Sequence, residues 1–368
     1  MAGMEGVIGQ ERALQVLDAA LRSGRVHHAY IFHGPAGVGK FTTALALAKV
    51  LLCQQMVVDQ GPVRACGRCP SCVRLGAAGP GRPPGEHPDL HVVTKELALF
   101  SGDAAVRERK LMNIPVRVLE EHLLGPVYRS TTMRHGKVFI VDEAELLDPI
   151  GQNKLLKTLE EPPEGTVIIL VTSSEERLLA TIRSRCQRVA FVPLGPERMA
   201  AWLDGQEPGL EASARAWLLG FADGSLGRAR LALDYGLAGW AARLVPGLEE
   251  MTRGRLPAEL GRQVQEMIEA FAARWVKERE NASKDAANKL AAGLVWSIWM
   301  QQARGRLAAA AGGTGAAAAA GPWLAAIDAL AEAERYVAAN VNLGLVCDHL
   351  VLSLFRALRP VAGPAGRS

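Results

Sequence analysis

The sequence predicts an α/β domain built on a parallel sheet, interrupted by a cysteine-bearing insertion, then a small helical domain and an all-α C-terminal bundle. Three observations carry this. Apolar runs of strand length alternate with helical patterns between Ala29 and Val192, the arrangement that covers a parallel sheet with helices on both faces. A glycine-rich loop joins the first such run to the first such helix. From about Pro246 the chain is helical almost throughout, with Ile268, Phe271, Trp275, Leu290, Leu294 and Ile298 at roughly helical spacing.

Taken in order, Val7-Ile-Gly-Gln10 leads into a helical pattern through Leu14, Leu17 and Leu21 that ends near Ser23-Gly24. The strand Ala29-Tyr-Ile-Phe32 follows, then His33-Gly-Pro-Ala-Gly-Val-Gly-Lys40 and the helical run from Thr42 to Lys49. This matches G-x-x-x-x-G-K between strand and helix, a phosphate-binding loop. Gly34, Gly37 and Gly39 let backbone N–H groups turn inward, and Lys40 reaches the terminal phosphates. One position departs from the pattern. The hydroxyl that helps hold Mg²⁺ belongs directly after the lysine, where Phe41 stands. Thr42 is one step further, rotated by about 100°, and faces away from the metal. The pattern therefore supports the fold strongly and hydrolysis weakly, so ATP and Mg²⁺ at this site are doubtful.

Next come Cys53 and then Cys66-Gly-Arg-Cys69-Pro-Ser-Cys72. Two overlapping C-x-x-C steps and a fourth thiol suit a closed, structural Zn²⁺ site. A redox pair needs only two of them, and unrelated buried thiols are the remaining alternative. The surrounding loop is rich in Pro, Gly and Arg to Pro88 and needs a metal clip to fold. Ile114 to Leu124 reads as a helix with Pro115 in its first turn. Lys137-Val-Phe-Ile-Val141 is a strand ending at Asp142-Glu143, about 100 residues past the P-loop. There an aspartate orders Mg²⁺ and a glutamate polarises the attacking water; acids favoured by a helix N-terminus are the alternative. Asn153 to Glu160 is a helix stopped by Pro162-Pro163, Thr166 to Val171 a strand ending at Thr172, and Arg188 to Val192 a strand after Ser184-Arg185-Cys186. Glu197 to about Leu237 reads as a small helical domain with Met199, Trp202, Trp217, Leu218 and Leu219 in its core. The low-complexity tract Ala308 to Ala320 holds a flexible break at Gly312 to Gly315. Val337 to Leu345 and Leu350 to Leu354 form a last helical hairpin.

The chain has 368 residues, 49% hydrophobic, and a net charge of +4. That charge is too small to imply a nucleic-acid partner by itself. No charged-then-apolar leader opens the chain, and no tract is apolar enough to span a bilayer. A cytoplasmic protein without a membrane partner is expected, in which six cysteines are not disulfides.

Gly34–Lys40, the four-cysteine insertion, Asp142–Glu143, Leu155-Leu-Lys-Thr-Leu-Glu-Glu-Pro-Pro163, Thr172 and Ser184-Arg-Cys186 together resemble the AAA+ clamp-loader subunits, which open sliding clamps for the bacterial replicative DNA polymerase III. The resemblance implies an AAA+ domain over 1–193 with its zinc insertion at about 53–88. It also implies a helical lid over 194–240 and an oligomerising collar over 241–368. It implies that Arg185 is an arginine finger for ATP held by a neighbouring subunit, against the plainer reading of a surface arginine paired with a carboxylate. The implied partners are gamma/tau and delta subunits in a hetero-oligomeric ring, with the sliding clamp and primer-template DNA met through the assembly. The family has hydrolysing members (gamma/tau) and a non-hydrolysing one (delta-prime). Phe41, and Gly227 where hydrolysing members carry a sensing arginine, lean toward the second, as does the intact Ser-Arg-Cys. Such a chain has weak turnover of its own or none, and serves a DNA-directed DNA polymerase holoenzyme. Lys40, Asp142, Glu143 and Thr172 survive, so a gamma/tau-like ATPase is the main alternative. A stand-alone nucleic-acid binder using Arg64, Arg68, Arg74 and Arg82 ranks lower, because that loop lacks aromatics for base stacking.

Overall fold

A computed structural model describes residues 4–76, 87–107, 113–133, 135–278, 283–310 and 316–360. Arg82 and the expected break at Gly312 to Gly315 lie outside these residues. The chain forms two compact units, Met1–Pro208 with Ala222–Arg228, and Gly209–Phe221 with Ala229–Ser368.

The first unit is built on β1 (Ala29–His33), β2 (Leu90–Val93), β3 (Lys137–Val141), β4 (Thr166–Thr172) and β5 (Gln187–Ala190). All pairs are parallel, in the order β2-β3-β4-β1-β5. Alternate side chains of a strand point to opposite faces, and both faces here are covered. Tyr30, Phe32, Val138, Ile140, Ile169 and Val171 pack on one face with the helices Glu11–Arg22 and Lys40–Leu51. Ala29, Ile31, Phe139, Val141, Ile168 and Leu170 pack on the other with Leu119, Leu123, Leu155, Leu159 and Ile182. Burial on both faces is why these strands read as continuous apolar runs.

Four local differences separate the structure from the sequence expectation. Strand β2 was not legible: it is a four-residue edge strand, Leu-His-Val-Val, with three of its four residues only half-buried. Strand β5 ends at Ala190 rather than Val192, because the backbone of Val192 hydrogen-bonds the Gln10 amide instead of extending the strand. The expected helix from Ile114 begins at Val116, passes through a π-helical turn at Glu120–Leu124 and runs on to Val127. The helix Pro149–Glu160 starts one turn earlier than expected, because Asp148 caps it by accepting from Gly151 N–H and Pro149 suits its first turn.

The second unit is helical. Among the described residues it contains Leu237–Thr252, Leu260–Glu278, Lys284–Ala310, Ala316–Ala338 and Leu343–Leu358. Trp299 is fully buried and its indole N–H donates to Leu244 O at 3.3 Å. Ile268, Phe271, Leu294 and Ile298 are core residues, as their spacing predicts. Pro246 lies inside a helix rather than before one. Asn342 caps the last helix by accepting from Leu345 N–H at 3.2 Å. Among the described residues no helix is long and apolar enough to cross a membrane.

Candidate functional site

The P-loop sits at the C-terminal end of β1, where the strand's last residue, His33, hands over to Gly34. Gly34, Gly37 and Gly39 all have positive φ, at 140°, 74° and 100°. At Gly34 the need is also steric, since a Cβ would lie 2.1 Å from Phe191 O. Gly39 is the N-cap of the Lys40–Leu51 helix and offers no side-chain cap, which leaves the first N–H groups of that helix for an anion. Gln10 is buried. Its amide donates to Val38 O (3.2 Å) and Val192 O (2.8 Å) and accepts from Val192 N–H (3.1 Å), tying the N-terminal segment to the loop.

Lys40 is 6% exposed, and its Nζ donates to Gly34 O and Pro35 O, both at 2.6 Å. Burial pushes its pKa below the usual lysine range, while Asp142 and Glu145 work the other way. The ammonium is thus satisfied by the loop's own carbonyls. Phe41 packs half-buried against the core face that holds Tyr30 and Phe32. It therefore supplies nothing to a metal, as the sequence predicts. Thr43 is spent as well, its hydroxyl donating to Gly39 O at 2.8 Å.

Asp142 follows β3 on the same edge. Its pKa is pushed up to about 6, chiefly by burial and further by Glu143 and Glu145, against a hydrogen bond from Glu143 N–H and the charge of Lys40. Glu143 has left-handed backbone (φ 49°, ψ 47°) and its carboxylate pairs with Lys95 Nζ at 2.7 Å. That lysine lies two residues past the end of β2, and the sequence reading missed it. Glu145, also missed, is an acid whose charge acts on Lys40 together with that of Asp142. Its Oε1 accepts from Ser173 N–H at 3.1 Å and from the Ser173 hydroxyl. Burial works to raise its pKa, but these bonds, with those from its own N–H and the Thr172 hydroxyl, outweigh it and hold the carboxyl below the usual range. Thr172 is buried and its hydroxyl accepts from Ser174 N–H at 3.1 Å.

The start of the Leu226–Asp234 helix closes on the loop. Gly227 N–H donates to Gly37 O at 2.8 Å, the Ser225 hydroxyl donates to Ala36 O at 3.0 Å, and Ser225 Oγ accepts from Arg228 N–H at 3.1 Å. A Cβ on Gly227 would stand 2.8 Å from Gly37 Cα. No longer side chain fits there without moving the helix off the loop. Lys40, Asp142, Glu145 and Thr172 are thus drawn to one edge of the sheet, while Glu143 turns to Lys95.

Arg185 lies elsewhere. Its Nη1 donates to Thr181 O at 2.9 Å, and its Nη2 pairs with Glu160 Oε1 at 2.6 Å. Gln187 of β5 lies beside Tyr30, and Ala190 beside His33. Arg185 precedes that paired stretch by two residues, whereas Gly34 follows it by one. The two ends of the sheet are separated by roughly 15–20 Å of strand. Cys186 beside it is buried, which pushes its thiol up to about 12.

The cysteines of the insertion converge. The Sγ atoms of Cys53, Cys66, Cys69 and Cys72 all lie within 4.8 Å of one another. Gln55 N–H and Cys66 N–H donate to Cys53 Sγ, Cys69 N–H to Cys66 Sγ and Cys72 N–H to Cys69 Sγ, at 3.2–3.5 Å. The Cys66 thiol is held down at about 6, first by a backbone hydrogen bond from Arg68. Four soft donors in this compass, with backbone N–H groups aimed at the sulfurs, could hold a metal ion such as zinc. Of the basic residues in this loop, Arg64 is taken up by Asp59 at 2.6 Å.

A parallel sheet with a P-loop on one edge, acids beside it and a helical element closing over it defines an AAA+ P-loop domain, here with a four-cysteine module inserted. The family model described as "DNA polymerase III, delta subunit" matches residues 9–195, and the chain belongs to that family. It is 37% identical to DNA polymerase III subunit gamma/tau of Mycobacterium tuberculosis, over 55% of this chain and 31% of that protein. It is 36% identical to subunit delta' of Escherichia coli (62% of this chain, 60% of that one) and 32% identical to subunit delta' of Pseudomonas aeruginosa (63% of each). The match spans about a third to three-fifths of these relatives' lengths.

Proposed function

We propose that the chain is a clamp-loader subunit of the delta-prime type. It joins ATP-hydrolysing gamma/tau subunits and delta in a cytoplasmic ring, gives Arg185 to a neighbour's ATP, and so helps load the sliding clamp on primed DNA. Residues 194–240 serve as its lid and 241–368 as its collar. Cys53, Cys66, Cys69 and Cys72 hold a structural Zn²⁺ that clips the insertion.

The observation that carries this reading is the position of Arg185 at the far end of the sheet from Gly34 and Lys40. A guanidinium there cannot touch phosphate in its own P-loop, so any phosphate it stabilises belongs to another chain. An arginine supplied in trans raises phosphoryl-transfer rates by roughly 10³–10⁵. The chain's own site fits Mg-ATP poorly. The hydroxyl after Lys40 is absent, burial works against charge on Asp142, Glu143 is held by Lys95 and no arginine fits at Gly227. No hydrolytic step is assigned to Gly34, Gly37, Gly39, Lys40, Asp142, Glu143 or Thr172, which remain a phosphate cradle at most. The gamma/tau-like reading is favoured by the convergence of Lys40, Asp142 and Thr172.

Mg-ATP hydrolysis by the purified chain alone, beside a Phe41→Thr variant, separates the two. No turnover by the unaltered chain is expected. Turnover that disappears in Lys40→Ala would make the chain an ATPase in its own right and end the delta-prime reading.

A further inference from the structure

We infer that Glu160 is a positioning residue for the arginine finger, a resting counter-ion that Arg185 must leave in order to reach a neighbour's phosphate. This rests on the trans role proposed above. Glu160 is the last residue of the Pro149–Glu160 helix, so its carboxylate adds to the negative end of that helix's dipole. Arg185 is held from two sides, by Glu160 Oε1 at 2.6 Å and by Thr181 O at 2.9 Å. The side chains are 35% and 49% exposed, arginine first. Such a pair is weak, screened and readily exchanged. A nucleotide phosphate offers more charge and a bidentate partner for the same planar fork, and displaces a single carboxylate.

The consequence is quantitative. When only a fraction of fingers is free, apparent affinity for the ligand they touch falls by that fraction. Glu160 thus raises the ATP concentration at which the neighbouring site becomes complete, without entering the chemistry. Neutralising it in Glu160→Gln keeps the side chain's shape and helix position but replaces the ion pair with a neutral contact, so the guanidinium is held less firmly, chiefly by Thr181 O. The expected result is a KM for ATP about two- to fivefold lower at the arginine-dependent site, the range set by a half-exposed ion pair, with kcat nearly unchanged.

The test is steady-state ATPase of the reconstituted clamp-loader assembly carrying unaltered chain, Glu160→Gln, Arg185→Ala or both changes. The inference predicts a lowered KM in Glu160→Gln that vanishes when Arg185 is alanine, and a return toward the original KM in Glu160→Asp. An unchanged KM in Glu160→Gln, beside a clear loss of activity in Arg185→Ala, overturns the resting-partner role while keeping the finger. The same KM shift with and without Arg185 also overturns it, because the effect then runs through helix structure. No loss in Arg185→Ala overturns the finger itself.

Discussion

Gly227 is the residue at which two opposing effects can be weighed. It lies in the first turn of the Leu226–Asp234 helix, where alanine is normally better than glycine by up to about 1 kcal/mol. Against that, an added Cβ stands 2.8 Å from Gly37 Cα and 3.1 Å from Gly37 O, both backbone atoms that cannot swing aside. Relieving such a contact costs about 1–3 kcal/mol. It also breaks the Gly227 N–H···O=C Gly37 bond, worth about 1 kcal/mol. The clash wins, and Gly227→Ala should destabilise the first unit by about 1–3 kcal/mol. For a unit of this size that lowers the melting temperature by roughly 2–12 °C, read by circular dichroism. Gly205 is the control: it also lies in a helix, Pro196–Gln206, but a Cβ there meets nothing within 4 Å. Gly205→Ala should therefore raise the midpoint slightly. If both variants moved it upward alike, the close seat of this helix on the P-loop would be refuted. With it would go the steric reason that no longer side chain fits at Gly227.

Three other expectations are as direct. Purified chain should carry about one Zn²⁺ by metal analysis, and Cys69→Ser should lose it together with the fold of the insertion. Asp142 is an acid whose pKa is raised on folding, so the folded state holds its proton longer than the unfolded one. Its contribution makes stability fall as pH rises from about 4 to about 6. Asp142→Asn should accordingly be more stable than the original by about 2–3 kcal/mol at pH 7.5 and equal to it near pH 4, as thermal melts at the two pH values would show. Lys95→Met removes the partner of Glu143 at a half-exposed ion pair, so it should change stability by less than about 1 kcal/mol; a larger loss would mean that this pair anchors the edge of the sheet.

Much of the first unit could be read from residues alone, because its central strands are buried on both faces and its P-loop needs glycine at fixed places. The glycines, Lys40, Asp142, Thr172 and the four cysteines were all legible as types at a spacing, whereas the bonds of Gln10 to Val38 and Val192 were not. What was not legible is direction and convergence. Asp-Glu after β3 names two acids, but only the left-handed turn at Glu143 decides that one faces Lys95 and that Glu145, two residues on, takes its place beside Lys40. No local pattern names the partner of Lys95, Glu145 or Glu160; each matters through a residue tens of positions away. Strand β2 was missed because a short half-buried edge leaves little periodicity.

The most direct measurement is the ATPase rate of the clamp-loader assembly reconstituted with gamma/tau and delta, with Arg185→Ala replacing the original chain. The change should leave the chain folded, since it removes only a half-exposed ion pair worth less than about 1 kcal/mol, and the ring should still assemble. The predicted result is loss of the hydrolysis contributed by the site next to this subunit, with clamp loading impaired. Unchanged hydrolysis and loading in an intact ring would contradict the account at its centre.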